Sequence, residues 1–258
     1  MRRLLSVFAA AMCLSSPTQV RAEEPPVIAA AADLQFALTE IAERFTQETG
    51  RTVRLSFGSS GNFHRQIREG GPFEMYLSAD ESYVLDLAKE GLTRDEGALY
   101  AVGRIVLIVP PGSPLKVDGS LKDLAAALEA GSVKKFAIAN PEHAPYGRAA
   151  QGALKAAGLW DKIKDKLVLG ENVSQAAQFA TSGSAQGGII AYSLALSPKV
   201  SALGKYDLIP AEGHNPLRQR MVLTKKAGET AKAFYSFVQT PDARATFKRY
   251  GFVLPEEK

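Results

Sequence analysis

The sequence contains little cysteine, histidine and tryptophan, and no long apolar run. Of its 258 residues, one is cysteine, three are histidine and one is tryptophan. Cys13 is close to the amino terminus, inside a segment with the features of a secretory leader. Without that segment the chain has no thiol and forms no disulfide, so a core must stabilise it. Hydrophobic residues make up 46% of the chain, enough for one large domain or two smaller lobes.

The amino-terminal segment, residues 1–22, is typical of a signal peptide. Arg2 and Arg3 provide a basic start, and residues 4–14 form an apolar stretch that is too short to span a bilayer. Val20-Arg21-Ala22 resembles a cleavage site. We therefore expect cleavage after Ala22 and a periplasmic protein.

The sequence has no strong excess of one charge. Arg2, Arg3 and Arg21 leave with the predicted signal peptide, which lowers the formal net charge from +4 to +1. No cluster of lysine and arginine stands out along the chain. We therefore expect neither nucleic acid nor a membrane surface as a partner.

The common catalytic motifs are also missing. The sequence contains no G-x-S-x-G elbow, P-loop, H-E-x-x-H or G-x-G-x-x-G. His64, His143 and His214 are scattered and lack the spacing of metal ligands, so we interpret them as surface or packing residues. Asp80 follows a predicted strand and precedes a predicted helix, which favours a helix cap. These absences predict a protein that is not an enzyme.

Short β-type runs alternate with amphipathic helical patterns along the chain. Three such units, with strands at 27–32, 52–57 and 73–80, predict a parallel sheet with right-handed crossovers. A long apolar strand at 102–109 is the best candidate for a crossing into a second lobe. The run 218–223 would carry the chain back.

These patterns predict an α/β protein of two lobes, each a mostly parallel sheet flanked by helices, with two crossover strands as the hinge. The first lobe would contain residues 23–103 and the returning segment 218–258, and the second lobe residues 104–217. The alternative is one doubly wound domain with an extended sheet.

Small and polar residues open four of the predicted helices, two in each lobe. Backbone N–H groups and the positive end of the helix dipole meet at such openings and favour an anion. Each opening alone is more often a simple cap, but their pairing predicts one anion pocket between the lobes. The openings are Ala32-Asp33, Ser59-Ser60-Gly61, Tyr146-Gly147 and Asn172-Val173-Ser174.

Six motifs distributed over nearly all of the chain after residue 22 carry a resemblance to a known family. They are residues 30–34, 57–61, 65–67, 77–80, 140–147 and 247–252. Because of the number and order of these motifs, the sequence resembles the periplasmic molybdate-binding proteins of molybdate ABC transporters. The resemblance implies a type II periplasmic-binding-protein fold and no cofactor. It also implies a tetrahedral oxyanion such as molybdate or tungstate as ligand, and an ABC permease with a cytoplasmic ATPase as partner. A monomer would suit such a receptor.

The resemblance also implies the ligand-binding residues. The family's serine in the second turn falls on Ser60, which would donate from its hydroxyl and its backbone N–H. A contact in the Pro-Glu-His loop falls on Tyr146, and a backbone donor at a helix start falls on Val173. A closing tyrosine falls on Tyr192, although the alignment also admits Ala191 or Ser193.

Asp33 departs from the family, which usually has a neutral hydroxyl or amide residue at this ligand-binding position. A carboxylate about 4 Å from a dianion would cost roughly 8 kcal/mol at an effective dielectric constant of about 20. That equals the whole free energy of micromolar binding, about 8 kcal/mol. An ionised Asp33 facing molybdate is therefore untenable.

Three arrangements would resolve this conflict, and each predicts a different ligand environment. Asp33 could turn away and cap its own helix at the N–H of Gln35 or Phe36. It could share a proton with the ligand and thereby select a protonated oxyanion such as phosphate or arsenate. The ligand could instead be a metal cation, held by Asp33 with Glu142, His64 or Tyr192. A less favoured hypothesis is a periplasmic enzyme that uses Asp33 and His64 as an acid/base pair.

Overall fold

The computed structural model describes residues 24–255, so the predicted signal peptide and its cleavage site lie outside the described residues. Within that range, ten strands form two five-stranded sheets. No helix of the described range is both long and apolar enough to cross a membrane.

The first sheet has the strand order β2-β1-β3-β10-β4. Strand β1 pairs in parallel with β2 and β3, as the alternating pattern predicts, whereas β10 is antiparallel to β3 and β4. The strands are β1 (Val27–Ala31), β2 (Arg54–Gly58), β3 (Phe73–Ser78), β4 (Ala98–Gly103) and β10 (Leu217–Leu223).

The second sheet repeats this plan with the order β7-β6-β8-β5-β9. Strand β6 is parallel to β7 and β8, and β5 is antiparallel to β8 and β9. Both sheets are therefore mixed. The strands are β5 (Ile105–Val109), β6 (Phe136–Ala139), β7 (Leu167–Gly170), β8 (Gly188–Ala191) and β9 (Lys205–Leu208).

Helices accompany both sheets. The first lobe, as named here, is the first sheet with the helices α1 (Gln35–Thr49), α2 (Ser60–Arg68), α3 (Glu81–Lys89), α10 (Glu229–Phe237) and α11 (Pro241–Arg249). The second lobe is the second sheet with α4 (Lys122–Glu129), α5 (Pro145–Ala156), α6 (Trp160–Ile163), α7 (Val173–Thr181), α8 (Tyr192–Ala195) and α9 (Pro198–Ser201).

Two connections join the lobes. The predicted single strand at 102–109 is wrong: β4 ends at Gly103 in the first sheet and β5 begins at Ile105 in the second. The apolar run is continuous because both strands are buried, so its composition does not reveal that they pair in different sheets. The chain returns between β9 and β10. The exact residues at which the two lobes divide stay a prediction.

Each lobe has its own core, and small residues bring the two cores together. In the first lobe Phe45 packs edge-on against Phe234 and Phe237, at ring distances of 5.2 and 5.3 Å, which fixes helix α10 to α1. Ala32 and Ala79 of the first lobe belong to the buried cluster of the second. Without bulky side chains at these positions, the lobes can approach closely around the site.

Candidate ligand-binding site

A small cavity of about 10 Å³ lies between the lobes, which is about the room that one water molecule needs. Pockets for drug-sized organic ligands are far larger, at roughly 300–1,000 Å³. The cavity therefore suits a ligand of few atoms. Its lining residues are Ala31, Ala32, Asp33, Gly58, Ser59, Ser60, Ala79, Ala144, Pro145, Tyr146, Asn172 and Val173.

Four helix starts converge on this cavity. Helix α2 begins at Ser60, α5 at Pro145 and α7 at Val173, and a 3₁₀ turn at Ala32–Leu34 leads into α1. N–H groups in the first turn of a helix lack intrahelical acceptors, and the helix dipole is positive there. The predicted convergence of Ser60 and Val173 from opposite lobes is confirmed. Their contact with a ligand stays a prediction.

The hydroxyl of Ser60 is held so that it can donate into the cavity. Its Oγ accepts a hydrogen bond from the N–H of Ala79 at 3.0 Å, and its carbonyl accepts one from the Tyr76 hydroxyl at 2.8 Å. A hydroxyl has one donor hydrogen and two acceptor positions. The bond from Ala79 uses an acceptor position and leaves the hydrogen for another partner.

Asp33 does not cap its own helix, so that prediction is wrong. Among the residues that the structure describes, no side chain caps the start of α1. Instead Oδ2 of Asp33 accepts hydrogen bonds from the Tyr146 hydroxyl at 2.9 Å and from Nε2 of Gln219 at 2.7 Å. The 3₁₀ turn before α1 directs the side chain towards the return strand β10 and the other lobe, where these two donors lie.

The other oxygen of this carboxyl group has no partner. Asp33 is only 1% exposed, and its Oδ1 has no hydrogen-bonding partner among the described residues. Burial raises the pKa of Asp33 from 3.8 to about 6, although the hydrogen bonds from Gln219 and Tyr146 oppose the rise. Asp33 is the lone acidic residue in the lining of a cavity otherwise made of neutral groups.

The side chain of Tyr146 is engaged within the protein, and its contact with a ligand stays a prediction. Its hydroxyl donates to Asp33, and the hydroxyl oxygen lies so close to Gly103 that a Cβ at that position would clash with it. The ring thus extends to the connection between the lobes. The group that Tyr146 can offer a ligand is its backbone N–H, in the first turn of α5.

The prediction that Tyr192 closes the site is not supported by its position, because Tyr192 is not among the residues that line the cavity. Its ring packs against Gly251 and lies 6.0 Å from the ring of Tyr206. Its neighbour Ser193 donates a hydrogen bond to the carbonyl of Asp33 at 2.8 Å. Consecutive residues of a helix point about 100° apart, so Ser193 faces the turn at Asp33, whereas Tyr192 faces the carboxy-terminal segment of the first lobe. The other alternative, Ala191, is a buried residue at the end of β8.

A second set of contacts surrounds the cavity, which we call the rim: Ser59, Gly61, Asn62, Asp80, Tyr83, His143, Arg148 and Glu171. The carbonyl of His143 accepts hydrogen bonds from the Ser59 hydroxyl and, at 2.9 Å, from the N–H of Gly61. Nδ1 of His143 lies 2.9 Å from Ser59 Oγ. Sequence reasoning missed this role, because nothing local relates residue 143 to residue 59.

The rest of the rim carries charge. Arg148 of the second lobe donates to Asp80 at 2.6 Å and to the Tyr83 hydroxyl at 2.9 Å, and Asn62 donates to Glu171 at 3.3 Å. Asp80 also accepts from the N–H of Ser82 at 2.9 Å, so its predicted role as the cap of α3 is confirmed. The rim therefore links the lobes through polar contacts on the side exposed to solvent.

A wider cleft beside the rim is a poorer candidate for the site. Asp80, Arg148, His214 and Arg218 are among its lining residues. Its arginines already pair with carboxylates, Arg148 with Asp80 and Arg218 with Glu81. The small cavity is better suited to a ligand because it brings together donors that lack acceptors.

The structure gives no support to a metal site or an acid/base pair. Neither His64 nor Glu142 lines the cavity, and His64 instead lies 3.6 Å from Asp86. Among residues 24–255, no group of three or more His, Cys, Asp or Glu side chains could hold a metal ion. Asp33 therefore has no partner of the kind that either hypothesis requires.

Comparison with known proteins agrees with this geometry. The family described as bacterial extracellular solute-binding protein matches residues 26–253. The chain belongs to this family. Among its relatives in the family, the molybdate-binding protein ModA of Rhodobacter capsulatus is 37% identical over 253 residues, which are 96% of each chain. ModA of Azotobacter vinelandii is 37% identical over 230 residues, 88% of this chain and 89% of that one.

A solved structure supports the same conclusion. The periplasmic molybdate-binding protein of Azotobacter vinelandii superimposes with a TM-score of 0.81 and 32% identity, over 90% of this chain and all of the other. The predicted family and the two-lobed type II fold are therefore confirmed. All three matches are named as molybdate-binding proteins, the solved structure as a periplasmic one, and the alternative ligands are not favoured.

Proposed function

We propose that the protein is an extracytoplasmic receptor that binds molybdate or tungstate in the cavity between its lobes. The observation that carries the proposal is the convergence of four helix starts, two from each lobe, on a cavity for a ligand of few atoms. The relatives named as molybdate-binding proteins suggest which anion it is.

The proposed donors are the hydroxyl and N–H of Ser60 and the N–H groups of Tyr146 and Val173. Asp33 belongs to the same cavity, and Tyr192 is not included. Hydrogen bonds to a charged group contribute roughly 1.5–3 kcal/mol each. Four or five such bonds would offset much of the dehydration of the anion without a lysine or arginine.

The mechanism is closure around the ligand, with no covalent step. Rotation about the two connections between the lobes would open the cavity, and the contacts of the rim would form again on closing. Ser60 lies on one lobe and Val173 on the other, so the full set of donors exists only in the closed protein. The anion thus stabilises the closed form because it binds that form more tightly.

The remaining parts of the proposal concern location and partners. The protein would be exported with cleavage after Ala22, act as a monomer in the periplasm, and deliver its ligand to an ABC permease with a cytoplasmic ATPase. It would catalyse no reaction. The relatives in the same family support this role.

Isothermal titration calorimetry of the mature protein with molybdate, tungstate, sulfate and phosphate tests the proposal. We expect saturable binding of molybdate and tungstate, and much weaker binding of the other two. Ser60→Ala should weaken molybdate binding at least tenfold, because it removes a charge-assisted hydrogen bond. Ser236→Ala, at an exposed position of α10, is the matched control and should bind normally. If none of the four anions bound saturably, the proposal would be rejected.

A further inference from the structure

The two oxygens of Asp33 have unequal surroundings. Oδ2 accepts two hydrogen bonds, and Oδ1 is buried without a partner among the described residues. We propose that Asp33 carries a proton on Oδ1 in the anion complex and donates it as a hydrogen bond to the bound oxyanion. The protein would then take up one proton with each anion. This inference rests on the proposed function, since it needs an anion in the cavity.

The hydrogen-bond network determines which oxygen carries the proton. The Tyr100 hydroxyl donates to Oε1 of Gln219 at 2.6 Å, which orients the amide so that its Nε2 faces Asp33. Nε2 is also 3.2 Å from the Tyr146 hydroxyl, which can accept from it while donating to Asp33. Two donors thus face Oδ2, which must be an acceptor. A proton on the carboxyl group therefore belongs on Oδ1.

A proton on Oδ1 needs an acceptor, and a bound anion would provide one. In the protonated carboxyl group Oδ1 is a donor, while Oδ2 keeps its two acceptor bonds. Asp33 lines the same cavity as Ser60 and Val173, so an oxyanion held there lies beside it. An ionised Asp33 would instead repel the anion by several kcal/mol. The protonated form satisfies both groups at once.

Among residues 24–255, no charged side chain bonds Asp33 or its partners Tyr146 and Gln219, so none of these contacts would itself set the pH dependence. The side chains that bond it or surround its partners are Tyr146 from α5, Tyr100 from β4 and Gln219 from β10. The 3₁₀ turn also packs against α1, α7, α8 and β2, which place the neutral Gln35, Ser174, Ser193 and Gly58 at that contact. The two tyrosines are the titratable groups of this set, and burial raises the pKa of both, so they stay neutral. The ionisable groups of the rim, Asp80, Tyr83, His143, Arg148 and Glu171, lie outside this set.

The direction of the pH dependence follows from the burial of Asp33. Burial already raises its pKa to about 6, and an adjacent dianion raises it further. Between the pKa of the free protein and that of the complex, the affinity should fall as pH rises, by up to about tenfold per pH unit. The proton comes from solvent on binding and returns to it on release, so the exchange is balanced.

Calorimetry of molybdate binding tests the inference, at pH values from about 6.5 to about 8.5 and in two buffers of different protonation enthalpy. The difference in heat between the buffers gives the number of protons taken up. We expect close to one proton per anion for the wild-type protein and a steady loss of affinity with rising pH. Asp33→Asn should bind molybdate with no proton uptake and little pH dependence, because its amide N–H₂ donates permanently. The control Asp165→Asn, at an exposed position of the second lobe, should behave as wild type.

Proton uptake by Asp33 and anion binding by the protein can fail independently in these measurements. Wild-type binding without proton uptake would overturn the inference alone, and this measurement needs no variant. Asp33→Asn that kept the wild-type pH dependence would also overturn it, because the proton would then bind elsewhere. If neither protein bound any of the four anions, the proposed function would fail, and the inference with it.

Discussion

The contacts between the two lobes form two regions with opposite chemistry. The inner network of Asp33, Tyr100, Tyr146 and Gln219 is buried and joined by neutral donors. The rim, in contrast, is partly exposed and contains the ion pair of Arg148 with Asp80, whose side chains are 36% and 31% exposed. Both regions connect the same lobes, yet the inner network contains almost no charged groups, whereas the rim contains an ion pair.

Solvent access explains the difference. A buried charge without a close partner carries a large desolvation cost, whereas a pair near solvent costs little and contributes little. The rim can therefore carry arginine and carboxylates without competing with the ligand. In the inner region any charge would interact strongly with an anion, which makes the single carboxyl group of Asp33 decisive. This comparison predicts large effects from changes that affect the fit of the lobes or the inner region, and small effects from changes to the charges of the rim.

The largest effect is expected at Gly61, where the lobes meet backbone to backbone. A Cβ at this position would lie 2.6 Å from the His143 carbonyl oxygen and 2.8 Å from the Tyr83 hydroxyl. Gly61→Ala should therefore hold the lobes apart and separate the donors of the cavity. We expect molybdate affinity to fall by about a hundredfold or more, equivalent to about 3 kcal/mol, while each lobe remains folded. Calorimetry and small-angle scattering with and without anion would measure both effects.

Gly152→Ala provides the control for that substitution. Gly152 also lies in a helix, α5, and a Cβ there would make only ordinary contacts, at 3.5 Å or more. We expect normal affinity and normal compaction on binding. Equal affinities for Gly61→Ala and Gly152→Ala would mean that the lobes do not need this close approach.

The next largest effect is expected on the free energy of unfolding of the anion-free protein, through the ionisation of Asp33. Because burial raises the pKa of Asp33 from 3.8 to about 6, ionisation destabilises the fold above about pH 6, and the penalty disappears as pH falls towards 3.8. At pH 8 the penalty is about 3 kcal/mol. Asp33→Asn should remove it, so the variant should be more stable than wild type by about that amount at pH 8 but not at pH 4. Urea unfolding at the two pH values measures the difference.

A structural control sharpens this stability prediction. Asp165→Asn changes the same charge at an exposed position and should leave the free energy of unfolding within about 0.5 kcal/mol of wild type. If Asp33→Asn were less stable than wild type at pH 8, the inner region would tolerate an ionised carboxylate.

Local features of the sequence predicted much of the fold and part of the site. The small and polar residues that open α2 and α7 indicate helix starts, and their position after predicted strands places them at the ends of the sheets. The cap at Asp80 follows from the same local pattern. Such signals lie within a few residues of each other, so they can be read without knowledge of the fold.

The inner network could not be predicted in this way. Gln219 bonds Asp33 across 186 positions of sequence, and the partner of Gln219, Tyr100, lies on another strand. Nor does sequence composition show that the apolar run around Arg104 changes sheets. The choice between Tyr192 and Ser193 depends on a rotation of about 100° per residue, which an alignment uncertain by one residue cannot resolve.

The smallest effect is expected when a charge is removed from the rim. Arg148→Met removes the ion pair with Asp80 and the hydrogen bond to Tyr83, both of which connect the lobes. Exposed ion pairs contribute roughly 0.2–1 kcal/mol, so molybdate affinity should fall by at most about fivefold, and the loss should shrink at high salt. Lys162→Met is the control for net charge. It removes a positive charge that pairs at 3.0 Å with Glu129, on the surface of the second lobe and away from the contacts between the lobes. Calorimetry at low and high salt compares the molybdate affinities of the wild type, Arg148→Met and Lys162→Met. If Arg148→Met lost a hundredfold while Lys162→Met lost nothing, charge on the rim would be as decisive as charge inside, and the contrast between the two regions would be wrong.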